Sequence, residues 1–181
     1  MSDIWFIADT HFGQERTLRK SKRPFNSVKE MDLIMLMNWN KVVKPEDTVY
    51  VLGDVGVMEI LTLLNGKKIL IKGNYERNLP ELLEGHEDQY DEIYEFIHDI
   101  KVEYDCKEYN ITMTHEPSRV KDRVLDENTI VLFGHVHKLC MIKPYGICVS
   151  ADAHNFTPIG LDDVIYYHNC ILNYYDENVF Y

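Results

Sequence analysis

The sequence predicts an α/β fold, and three observations carry that reading. The first half alternates short apolar runs with helix-patterned segments, and the second half is mostly strand-patterned. Five apolar runs each end in a residue able to hold a metal: Asp9, Asp54, Asn74, His115 and His135. Ligand sites in α/β sheets lie outside the carboxyl ends of the strands, so these five ends are expected to converge on one rim.

The elements follow in order. Residues 4–8 form a strand that stops at Asp9. Ser27 with Glu30 three positions later is a capping-box pattern. It opens a helix carrying Val28, Met31, Met35, Trp39 and Val42 at helical spacing, with Pro45 beyond its end. Residues 48–52 form a second strand ending at Gly53-Asp54, and a short helix is expected over 57–64. Residues 68–72 form a third strand, ending at Gly73-Asn74. Further strands are expected over 95–100, 101–104, 110–114, 129–133, 139–142, 146–150 and 164–167, with Leu161-Asp162-Asp163 as a single turn before the last.

Composition bounds the rest. The 181 residues suit one domain, 1–181, and 45% hydrophobic residues with 12% aromatics are a globular composition. No apolar run approaches the roughly 20 residues of a membrane helix. The N-terminus leads straight into a strand, without a basic region and signal core. Cys106, Cys140, Cys148 and Cys170 have no CxxC spacing and read as buried thiols of a reducing cytoplasm. A formal charge of −11 argues against non-specific nucleic-acid binding, although two divalent ions would bring it to −11 + 4 = −7. The charge is uneven. Residues 76–105 hold eleven acids against Arg77 and Lys101, a net −9, and read as including a solvated helix. Residues 16–23 hold five bases and no acid: Arg16, Arg19, Lys20, Lys22 and Arg23.

The candidate site contains Asp9, His11, Asp54, Asn74, His115, His135 and His137. Imidazole with carboxylate suits Mn, Fe, Zn, Ni or Co, and Mn is the first expectation. A tetrahedral ion takes about four ligands, so seven donors fit two ions if one carboxylate bridges. Asp54 is the natural bridge, since its strand lies between those of Asp9 and Asn74 in sequence. Asp9 and His11 are two apart and face one way on an extended segment, as do His135 and His137. Two ions roughly 3.5–4 Å apart can clamp a phosphate and turn a bridging water into hydroxide. The protein then mainly positions and neutralises.

The ordered motifs Asp9-Thr10-His11, Gly53-Asp54-Val55, Gly73-Asn74-Tyr75-Glu76, Thr114-His115 and Gly134-His135-Val136-His137 resemble those of the calcineurin-like metallophosphoesterases. The closing segment from Val149 to Pro158, and Arg23-Pro24-Phe25, resemble the small bacterial and phage members. The resemblance implies a four-layer α-β-β-α sandwich of two mixed β-sheets with the dimetal site at the rim. It implies that Asp9, His11, Asp54 and His137 hold one ion. Asp54, Asn74, His115 and His135 hold the other, and Asn74, Tyr75 and His115 are the candidate catalytic residues. One position departs from the pattern, because the family's histidine after Asn is Tyr75. In the family that histidine contacts the phosphate and can protonate the leaving oxygen. A phenol of ordinary pKa, about 10, is a poor general acid at pH 7. Either Tyr75 favours diesters and activated aryl esters, or it simply packs at the rim.

The remaining candidates stay open. Residues 16–23 read as a solvated face or as a contact to a nucleotide or nucleic-acid phosphate. Gln14 can touch substrate or water, and Asp152 and His154 can support a ligand or pack a turn. His86, His98 and His168 lie outside every motif. Tyr166, Tyr167, Tyr174, Tyr175 and Tyr181 suit sheet surface or a dimer face, leaving monomer and homodimer both open. The leading function is an enzyme that hydrolyses a phosphate ester, monoester or diester. The alternative is a weak or inactive member that serves as a metal-binding protein-interaction scaffold.

Overall fold

A computed structural model describes residues 2–123, 125–139, 142–143 and 146–174. The first part of the chain gives β1 (Ile4–Ile7), α1 (Glu15–Lys20), α2 (Val28–Val42), β2 (Thr48–Val51), β3 (Lys67–Ile71), α3 (Asn74–Asn78) and β4 (Glu92–Tyr94). The second gives β5 (Ile97–Tyr104), β6 (Lys107–Thr114), β7 (Thr129–Phe133), β8 (Ile142–Lys143), β9 (Gly146–Cys148), β10 (Ile159–Gly160) and α4 (Leu161–Tyr174).

The strands make two mixed five-stranded sheets with flanking helices, the α/β architecture the sequence implies. The first sheet runs β10-β1-β2-β3-β4. Strands β1 to β4 are parallel and β10 is antiparallel. The second runs β5-β6-β7-β9-β8, with β6, β7 and β9 parallel and both edges antiparallel. A parallel bridge between Ala8 and Ser150 links the sheets just past β1 and β9. The parallel strands of both sheets therefore point the same way, and their carboxyl ends share one rim.

Period-two alternation builds the layers. Phe6, Ala8, Tyr50, Leu52 and Ile71 face Ile111, Met113, Ile130, Leu132 and Ile147 of the second sheet in a dry core between the sheets. Ile7, Val49, Val51 and Leu70 point the other way, onto Met31, Met35 and Trp39 of α2. Val131, Phe133 and Cys148 form the outer face of the second sheet with Val120. Ser27 Oγ caps α2 by accepting from Glu30 N at 3.2 Å. Glu30 reaches back to Asn26 N rather than Ser27 N, so the capping box closes one residue early.

Several expected elements need correction. Residues 164–167 are helix, not strand, and Leu161 to Asp163 is the first turn of α4. Residues 95–100 and 101–104 are not two strands, because β5 is continuous over Ile97–Tyr104. Leu139 ends a 3-10 turn, His137–Leu139, rather than opening a strand. The short helix near residue 57 is a 3-10 turn, Met58–Leu63. Only Cys148 is a buried thiol among the described cysteines, as Cys106 is exposed and Cys170 half-buried. Cys140, Tyr175 and Tyr181 lie outside the described residues. No helix among the described residues is long and apolar enough to cross a membrane.

Candidate metal centre

The seven sequence-predicted donors come from the loops that leave β1, β2, β3, β6 and β7 at the shared rim. Five of them have left-handed backbone: Asp9 (φ 54°), His11 (49°), Asp54 (55°), His135 (71°) and His137 (50°). Such conformations cost about 1–3 kcal/mol each and persist only where the surroundings dictate them. Here the loops brace one another. Asp9 N donates to Gly53 O at 3.0 Å, and His11 N to Asp54 O at 3.0 Å. The buried Glu76 carboxylate accepts from Asp54 N, Val55 N and Gly73 N at 2.8–2.9 Å. The motif glycines allow this approach. Gly53 has φ 76°, and a Cβ there would sit 2.2 Å from Gly73 N. A Cβ on Gly134 would sit 2.8 Å from Asp9 Oδ2.

Hydrogen bonds away from the centre aim the donor atoms inward. His11 Nδ1 donates to Gln14 Oε1 at 2.8 Å, which turns Nε2 toward Asp54 Oδ2 at 3.7 Å and Asp9 Oδ1 at 4.0 Å. His137 Nδ1 donates to Asp152 Oδ2 at 2.8 Å, leaving Nε2 4.0 Å from the same Asp9 oxygen. Asp9 Oδ2 is occupied, accepting from His135 N at 2.8 Å and from Ser150 Oγ. On the other side, His115 Nδ1 donates to Leu52 O at 2.7 Å. Its Nε2 lone pair then faces Asp54 Oδ1 at 3.6 Å and Asn74 Oδ1 at 3.0 Å. His135 Nδ1 lies 3.1 Å from that amide oxygen.

The arrangement fits metal ions on three counts. Asp9 Oδ1 and His11 Nε2 are buried with no hydrogen-bond partner. Such atoms are costly unless something fills the gap. The His115 lone pair and Asn74 Oδ1 are two acceptors face to face, which a cation relieves. Donor atoms of Asp9, His11 and His137, and of Asp9, Asp54 and His115, lie within 4.8 Å of one another. Asp54 turns one oxygen toward each side, as a bridging carboxylate would. Asp9 Oδ1 also lies 4.0 Å from His115 Nε2, the same separation it keeps from His11 Nε2 and His137 Nε2.

Burial sets the protonation of the metal-free site. It lowers the His11 pKa to about 4, against the pull of Asp9. It raises Asp54 to about 6, against the nearby His115. Burial, then the neighbouring His115, lowers His135. His137 moves up: burial opposes this, but the hydrogen bond to Asp152 and the charge of Asp9 prevail. Asp152 is held down at about 2, where the His137 hydrogen bond and Arg23 outweigh burial.

The basic segment divides. Arg23 is buried, its guanidinium bound to both Asp152 oxygens and to the carbonyls of Asp9 and Thr10. That corrects the reading of Arg23 as a phosphate contact. Arg19 pairs with Glu15 on the exposed face of α1. Arg16 and Lys20 line the hollow over the metal donors, together with Tyr75. The Tyr75 ring stands edge-on to His11, centroids 5.0 Å apart, and its backbone N donates to Asp54 Oδ1 at 2.9 Å.

Glu76 and Ser150 were missed as working residues. The clue for Glu76 was its place in the Gly73-Asn74-Tyr75-Glu76 motif. Ser150 had no signal beyond the closing segment. His154, His86 and His168 stand apart from the donors, bonded to Cys148 O, Gln89 and Glu127 O. His98 stacks on Tyr94.

The chain belongs to the calcineurin-like phosphoesterase superfamily, whose domain model matches residues 3–151. It is 30% identical over 180 residues to an uncharacterized protein of Methanocaldococcus jannaschii, covering 91% of this chain and 90% of that one. It is 30% identical over 193 residues to the Gene 66 protein of Mycobacterium phage D29, covering 88% and 93%. Among solved structures it resembles a protein of unknown function from Aquifex aeolicus, with TM-score 0.71 and 28% identity. That match covers 92% of this chain and all of the other (100%).

Proposed function

We propose that this chain is a dinuclear metal-dependent phosphoesterase acting on phosphomono- or phosphodiesters. The observation that carries the proposal is the inward convergence of unsatisfied donors, above all the buried Asp9 Oδ1 and His11 Nε2. Asp9, His11, Asp54 and His137 would hold one ion and Asp54, Asn74, His115 and His135 the other, Mn2+ first, with Fe, Zn, Ni or Co also suited. Bound there, two such ions supply the positive charge and the activated water that phosphoryl transfer needs.

The chain's own residues then set selectivity. Arg16 and Lys20 add charge along one wall of the hollow, where the phosphoryl oxygens of a substrate would lie. Tyr75 stands where the family carries a histidine. Its phenol can donate a hydrogen bond but replaces the imidazole that would protonate a poor leaving group. General acid catalysis is typically worth about 10²–10⁴-fold, so the loss falls on alkyl leaving groups. The proposal is therefore a preference for diesters and activated aryl esters.

The test is turnover of p-nitrophenyl phosphate and bis(p-nitrophenyl) phosphate with Mn2+ supplied and metal content measured. Metal-dependent hydrolysis of the diester supports the proposal. Bound metal with no turnover of either would favour the scaffold reading.

A further inference from the structure

The metal hollow is one end of a longer path. It has a volume of about 200 Å³ and is walled on one side by Arg16 and Lys20 of α1. A second hollow of about 230 Å³ adjoins it, sharing Lys20, Ser21, His135 and His137. It runs away from the donors toward Lys22, Val136, Lys138 and Leu139.

Charge and apolar surface alternate along this path. Arg16, Lys20, Lys22 and Lys138 are all exposed. Among the described residues none of them forms an ion pair, in contrast to Arg19 with Glu15. In a chain of net charge −11, four such cations beside one opening make a local positive stripe. At its far end Leu139 is 88% exposed, next to the half-buried Val136. An exposed leucine in a hollow that Lys20, Lys22 and Lys138 also line offers apolar contact beside contacts for an anion. Single-stranded nucleic acid is bound by a basic track for the backbone beside aromatic faces on which bases stack. Tyr75 supplies an aromatic face at the other end.

We propose that the second hollow is a subsite for the nucleotide that flanks the scissile phosphate of a single-stranded oligonucleotide. Lys22 and Lys138 contact its phosphate, and Val136 and Leu139 its sugar and base. The inference rests on the phosphoesterase reading and names its substrate class. A small aryl ester carries no second phosphate for Lys22 and Lys138 to contact.

The test is the Lys22→Gln/Lys138→Gln double variant, which touches the second hollow alone. With Mn2+ supplied, its KM for a hexathymidylate should rise about 10-fold at low salt. The slope of log KM against log salt should fall by roughly 0.7, the value for one lost phosphate contact on a single strand. Turnover of bis(p-nitrophenyl) phosphate should stay within about 2-fold. Unchanged KM and salt slope for the hexathymidylate, or an equal loss on both substrates, would overturn the proposal. If neither ester turns over, the phosphoesterase reading fails separately, and anisotropy of a fluorescein-labelled hexathymidylate with the Mn2+-loaded proteins decides the subsite. Weaker binding by the double variant upholds it, and equal affinity overturns it.

Discussion

Arg23 and Asp152, 129 positions apart, form a buried two-point ion pair, Nε to Oδ1 at 3.1 Å and Nη2 to Oδ2 at 2.7 Å. The pair joins the first metal motif to the last. Arg23 holds the carbonyls of Asp9 and Thr10, while Asp152 accepts from His137 Nδ1. It thereby fixes which His137 nitrogen faces the centre. Loss of such a partner typically costs about 10–100-fold in metal affinity. Asp152→Asn should show that loss by calorimetric titration with Mn2+. Asp152→Ala also strands a buried guanidinium and should cost about 3–5 kcal/mol by urea denaturation. Unchanged affinity in Asp152→Asn would make the pair a purely structural clamp.

Glu76 ties the Asp54 and Asn74 loops by accepting three backbone N–H groups. Charge-assisted bonds of this kind are worth about 1.5–3 kcal/mol each. Glu76→Gln places an amide where only an acceptor fits. It should destabilise the metal-free protein by at least about 2 kcal/mol and weaken metal binding. Urea denaturation without metal checks the first effect, and wild-type stability would contradict it.

The raised pKa of Asp54 gives a pH signature. In the folded metal-free chain it lies near 6 instead of 3.8. The stability this group contributes is full below the ordinary value and is lost as pH rises through 6. Above 6 the fold therefore carries a buried carboxylate that binding to a cation relieves, and metal ligands must be deprotonated. The Mn2+-induced rise in Tm should be large at about pH 7.5 and shrink toward about pH 5. An equal shift at both pH values would remove Asp54 from the ligand set.

Tyr75→His restores the imidazole the family places beside Asn74. Activity on an alkyl phosphomonoester should rise by about 10²-fold, the lower end of general acid effects. Activity on bis(p-nitrophenyl) phosphate, with its good leaving group, should change much less. No gain on the alkyl ester would leave Tyr75 as packing against His11.

Much of the site was legible because its chemistry sits in short motifs, each directly after a strand. The proposal of Asp54 as a bridge starts from the order of the strands in sequence, and the sheet does place β2 between β1 and β3. What local pattern could not carry was long-range partnership. Arg23 looked like surface charge because nothing near it in sequence announces Asp152. Glu76 is one of eleven acids in a stretch whose pattern suggests a solvated helix, yet it is buried under backbone donors. The run Val164-Ile165-Tyr166-Tyr167 suits a strand by its β-branched and aromatic side chains. Leu161, Val164, Ile165, His168 and Ile171 in fact keep helical spacing, and their common face packs on the core between the sheets.

The most direct test of the central claim is an anomalous difference map from crystals grown with saturating Mn2+. Two peaks about 3.5–4 Å apart are expected, separated as in other two-metal sites. One should lie beside Asp9, His11 and His137 and the other beside Asn74, His115 and His135, with Asp54 between them. A single peak, or none, would contradict a dimetal centre.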